Sequence, residues 1–169
     1  MNPVYDSVLL EDILKGVEVA QEIKWEGKDS SYLNHYLPRA YNNLSLLSML
    51  GKRYEDAEAY LKQGLAITDK YPEESPVLAV QLRNSYCVLL NELGRPDECI
   101  AMSQTALELL EGVDNKSLVS TVLSYQGSAH ELKQEYDKAF PLFQDMYRLS
   151  AEIDFPPGCE LAAEHIASY

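Results

Sequence analysis

The chain has 169 residues, 46% of them hydrophobic, and its 14 Lys and Arg face 27 Asp and Glu for a net charge of −13. That balance excludes nucleic acid and anionic membrane surfaces as partners, because phosphate binding depends on Lys and Arg neutralising the charge. No apolar run approaches the ~20 residues of a spanning helix, the start Met1-Asn2-Pro3-Val4-Tyr5-Asp6 lacks the basic and apolar regions of a secretion signal, and three cysteines is an odd count for a disulfide framework, so a cytoplasmic location is expected.

From Val4 to Trp25 the positions Val8, Leu9, Ile13, Leu14, Val17, Val19, Ala20 and Ile23 are apolar, which predicts an amphipathic helix. This segment, residues 4–29, is expected to cap the first helical hairpin. Three later stretches repeat one phrase: Leu50-Gly51-Lys52-Arg53-Tyr54-Glu55-Asp56-Ala57, then Leu93-Gly94-Arg95-Pro96-Asp97-Glu98-Cys99, then Leu132-Lys133-Gln134-Glu135-Tyr136-Asp137-Lys138-Ala139. Anchored on Ala57, Cys99 and Ala139, the copies are 42 and 40 residues apart. At such periods each unit is one supersecondary piece that cannot bury its apolar face alone.

Apolar-periodic segments flank each phrase and predict antiparallel helix pairs: Ala40 to Leu50 with Tyr54 to Ile67, Pro76 to Leu93 with Pro96 to Leu110, and Leu118 to Leu132 with Tyr136 to Ile153. No strand is needed. The repeat units are residues 34–70, 76–111 and 117–153, within one array over 1–169. After the break Phe155-Pro156-Pro157-Gly158, residues 157–169 resume as a terminal cap or as the first helix of a truncated fourth unit. Such a truncated helix would leave Leu161, Ala162 and Ile166 without an internal partner and favour a homodimer through the terminal helices.

Three slots stay mostly small, as close helix approach requires. They are Ser45, Cys87 and Gly127, then Ala57, Cys99 and Ala139, then Gly64, Ala106 and Met146. Between them run Leu61, Ser103 and Phe143, then Leu65, Leu107 and Tyr147, then Ile67, Leu109 and Leu149, with Tyr54 and Tyr136 at the turns; all are expected in the core. Pro38 falls in a first turn if its helix starts near Asn34, whereas Pro141 should kink or shorten the helix that holds it.

The small slot, the Leu-Gly turn, the aromatic after it and the following Ala resemble the tetratricopeptide repeat, whose usual period is about 34 residues, so these copies are long. Tyr41-Asn42-Asn43-Leu44-Ser45-Leu46-Leu47 with Gly51, Tyr54, Glu55, Ala57 and Glu58, and Glu74-Ser75-Pro76-Val77-Leu78-Ala79 opening the next unit, resemble the lengthened kinesin light chain type of bacterial regulators. The likeness covers residues 34 to 153. It departs by one residue inserted between Gly51 and Tyr54, by Pro96 at the turn aromatic, by Lys133 or Gln134 at the third turn glycine, and by Met146 in a small slot. The resemblance implies an all-α, right-handed α-α superhelix of about three hairpins with flanking helices.

The same resemblance implies a concave groove lined by the first helices, with Arg39, Asn42, Asn43, Leu46 and Met49 from the first unit, Gln81, Asn84, Val88 and Asn91 from the second, and Thr121, Ser124, Tyr125, Ser128 and Glu131 from the third. Amides dominate, and Asn42 and Asn84 share one slot, as a ladder gripping a peptide backbone would need. The two-carboxylate clamp of chaperone-binding relatives wants several basic residues, and only Arg39 and Arg83 are near.

Cys87 and Cys99 sit in small core slots, and Cys159 and His165 lie on different helix faces. No nucleophile triad, phosphate loop or metal spacing stands out, so no catalysis, cofactor or metal is expected. The expected function is a protein- or peptide-binding scaffold, the resemblance adding a sensory or regulatory module of a larger signalling protein. The alternative is a structural module that self-associates through its ends.

Overall fold

The computed structural model describes residues 11–19 and 31–169, and every regular element among them is an α-helix. They are α1 (11–19), α2 (Ser31–Leu50), α3 (Tyr54–Lys70), α4 (Pro76–Glu92), α5 (Pro96–Leu109), α6 (Lys116–Leu132), α7 (Tyr136–Glu152) and α8 (Pro156–Ala167). The positions Val8, Leu9, Ala20 and Ile23 of the expected cap lie outside the described residues. The chain forms two compact units, residues 1–85 and 86–169.

Four turns have one geometry. The α2–α3, α4–α5, α6–α7 and α7–α8 turns each carry a left-handed residue two positions before the next helix: Lys52 (φ 57°), Gly94 (67°), Gln134 (60°) and Asp154 (52°). The following amide reaches back to the helix it leaves, Arg53 to Ser48 O (2.8 Å), Arg95 to Leu90 O (2.8 Å), Glu135 to His130 O (2.9 Å) and Phe155 to Ser150 O (2.9 Å). The left-handed residue's own amide bonds Met49, Asn91, Glu131 and Ala151 O respectively, which completes a Schellman closure at each turn. The expected register shifts accordingly. Gly94 is equivalent to Lys52 and Gln134, Gly51 to Leu93 and Lys133, and no residue is inserted before Tyr54.

In the first unit, Val17 of α1 packs with Tyr41 and Leu44 of α2, with Ile13, Leu14, Tyr60 and Ile67 around them. Val19 is 56% exposed and stands outside the apolar stripe expected of it. α2 starts at Ser31, so Pro38 is its eighth residue, past the first turn, with its ring fully buried. On α3, a side chain at Gly64 would meet Leu82 of α4 at 2.8 Å, which is why that slot is glycine.

In the second unit, Phe143 of α7 lies over Gly127 of α6, where an added Cβ would meet the ring at 2.7 Å. On its other face Phe143 stacks with His165 of α8, centroids 4.1 Å apart. The same first-helix slot of the preceding hairpin holds Cys87, and there the facing residue is small too, Ser103, with Sγ and Oγ 3.4 Å apart. Glycine faces phenylalanine and cysteine faces serine, so the large ring is accommodated only where the facing position has no side chain. All nine small slots are buried.

Tyr136 (51% exposed) and Tyr147 (45%) point outward instead of joining the core. α7 runs through Pro141 to Glu152 and is not shortened, since the exposed ring sits where one lost backbone bond costs little against the buried Ala139, Phe143 and Met146. α8 packs Ala162 and Ile166 into the cluster of Leu123, Ala139, Phe143 and Met146, so only Leu161 of the three expected orphans stays outside.

Candidate functional site

Val88, Asn91 and Glu92 of α4 and Tyr125, Ser128, Glu131 and Leu132 of α6 line an open pocket of about 580 Å³ in the second unit. The spacing explains the convergence: 88 with 91 and 92, and 125 with 128, 131 and 132, are neighbours on one face of a helix. Asn91 ties the two walls together. Its Nδ2 donates to the carbonyl oxygen of Tyr125 at 3.3 Å, and the Cys99 thiol donates to the same oxygen at 3.6 Å. These bonds reach from the α4–α5 hairpin to α6 and fix where the Tyr125 side chain emerges.

The Cys87 and Cys99 thiols are buried behind this wall. Cys87 donates to the carbonyl of Cys99 at 3.5 Å, and the bond between the two side chains, followed by burial, pushes the Cys99 thiol far above its ordinary range. Burial first, and then the nearby cysteines, also raise the Tyr125 hydroxyl, so it stays a neutral phenol at the pocket wall. Glu131 is fixed from the opposite side: His165 Nδ1 approaches its carboxylate at 3.0 Å, and Tyr169 donates its hydroxyl to Glu131 Oε1. That contact, with burial as the larger cause, holds the Tyr169 hydroxyl above the usual phenol range.

The structure thus brings Val88, Asn91, Tyr125 and Ser128 together, with Glu131. Ser124 is buried on α6. Thr121 bonds its own helix, its hydroxyl donating to Ser117 O at 2.9 Å. In the first unit Arg39, Asn43, Leu46 and Gln81 are exposed and Met49 is half-buried. Asn42 and Asn84 do not form an open ladder: Asn42 is half-buried with its Oδ1 sealed and unpaired, and Asn84 is only 7% exposed.

The basic residues near the expected groove are engaged as well. Arg39 contacts His35 Nε2 at 3.3 Å, and the buried Arg83 donates to Asp69 Oδ1 at 2.6 Å and to Ala79 O at 3.1 Å. Two pocket residues, Glu92 and Leu132, escaped the sequence reading, although the helical steps from Val88 and Ser128 point to them. Nothing local could signal that His165 and Tyr169 reach Glu131 from 34 and 38 residues away. Among the described residues no three His, Cys, Asp or Glu side chains gather as a metal site, and no helix is long and apolar enough to cross a membrane.

No family model and no curated protein sequence matches the chain. Among solved structures it is similar to the kinesin light chain-like BtubC (BKLC) from P. vanneervenii, with a TM-score of 0.72 and 14% identity. That match covers 89% of this chain and spans 59% of BtubC. A tpr-like protein from Chlorobium tepidum matches with a TM-score of 0.63 and 15% identity, covering 82% of this chain and 97% of that one. The fold is therefore a tetratricopeptide-like all-α helical repeat.

Proposed function

We propose that this chain is a non-catalytic scaffold that binds a peptide segment of a partner protein, with the α4–α6 pocket as its contact site. One observation carries the reading: Val88, Asn91, Tyr125 and Ser128, each a groove position by its place in the repeat, converge on one pocket of about 580 Å³. That volume falls in the range of small-ligand pockets and suits a long side chain with its flanking backbone. The regulatory setting, a cytoplasmic module within a larger signalling protein, is part of the same reading and rests on the repeat type alone.

The test is a displayed random-peptide library panned on the wild type and on Ser128→Trp, which fills the pocket from a half-buried position. Sequences retained by the wild type and lost on the variant are expected. Sequences retained equally by both would place binding elsewhere and end the pocket reading.

A second reading, self-association through α8, draws on Leu161 (41% exposed) and Phe155 (45%), two large apolar side chains left outside the core.

A further inference from the structure

We infer that the α4–α6 pocket takes an arginine side chain of the partner peptide, an inference that rests on the binding role proposed above. The walls are of two kinds. Val88, Leu132 and the ring of Tyr125 offer apolar surface, and Glu92 and Glu131 offer carboxylates at the same opening. An aliphatic stem that ends in a cation fits both, since the stem covers apolar surface while the charge meets acceptors.

No Lys or Arg of the unit meets those carboxylates, and the His165 ring touches Glu131. Residues 86–169 hold five Lys and Arg against 14 Asp and Glu, and each of the five is paired away from the pocket. Arg95 meets Glu98 at 2.6 Å, Lys116 meets Glu152 at 3.0 Å, Lys133 meets Asp97 at 2.5 Å, Lys138 meets Glu135 at 3.3 Å and Arg148 meets Asp145 at 2.9 Å. Glu92 has no ion pair among the described residues. A planar guanidinium also stacks on an aromatic face, as the Tyr125 ring allows, and donates to two carboxylates at once, which separates arginine from lysine.

The experiment titrates the full chain with acetyl-Gly-Gly-X-Gly-Gly-amide peptides, X being arginine, lysine, citrulline or glutamate, and reads backbone amide shifts. The arginine peptide should move the amides of Val88, Asn91, Tyr125, Ser128 and Glu131. Citrulline keeps the shape and loses the charge, and should bind about tenfold more weakly, with lysine between them. Glu92→Gln should weaken the arginine peptide about threefold without moving the thermal midpoint, because Glu92 is exposed and unpaired; Glu131→Gln is the less clean variant because it also releases His165 and Tyr169.

Equal binding of arginine and citrulline, or arginine shifts that lie away from these residues, would overturn the inference. The two readings fail separately. Pocket-dependent library sequences without a basic residue would leave the scaffold standing and remove the arginine.

Discussion

Gly127 is covered by the Phe143 ring, and His165 stacks on that same ring in turn. Phe143 is itself fully buried, so a methyl group at 127 meets a ring already packed into the core. Gly127→Ala should therefore cost about 1–3 kcal/mol in urea unfolding, as overpacking does in a closed core. The sharper expectation is a coupling. In a Phe143→Leu background the same alanine should cost less than it does alone, because the atom it strikes is gone. Equal costs in both backgrounds would mean that the ring is not what excludes the methyl group. The glycine and the phenylalanine each stand in their own column of the repeat, so both were legible as core. Their pairing was not, because columns compare copies along the chain while the contact joins different columns across a hairpin.

Helix endings carry a similar lesson at the next scale. The four Schellman turns share one backbone path, yet only Gly94 supplies a residue that enters the left-handed region freely. Nothing lies within 4 Å of where its Cβ would be, so Gly94→Ala reports backbone conformation alone and should destabilise by about 1 kcal/mol. Gln134→Gly should move the other way, by up to about 1 kcal/mol, because strain relief exceeds the added freedom of the unfolded chain. Chemical denaturation of both variants checks the pair, and a loss of stability in Gln134→Gly would contradict it. The Leu-Gly phrase marked the place of the turns correctly but misaligned the first by one residue. A glycine looks like the turn residue in sequence, whereas the hydrogen bonds put Lys52 there and leave Gly51 a residue earlier.

For the molecule as a whole, the acidic balance and the fate of α8 decide how copies meet. Ala162 and Ile166 are covered by the second unit's own core, and a single exposed Leu161 with Phe155 makes a small apolar surface for a stable dimer. The expected state is a monomer whose sedimentation does not change with concentration. A concentration-dependent dimer that Leu161→Glu abolishes would instead establish self-association through α8.

The helical class, the place of the turns and the small slots were all written in the sequence, since helix periodicity, caps and close approach depend on residues a few positions apart or on repetition itself. Which polar groups stay open to a partner was not. Asn42 and Asn84 occupy one slot and differ in exposure, while Val88, Asn91, Tyr125 and Ser128 become a site only when α4 and α6 pack side by side. Burial is set by neighbours tens of residues away, so only the tertiary structure could separate a wall of the pocket from a residue sealed beneath it.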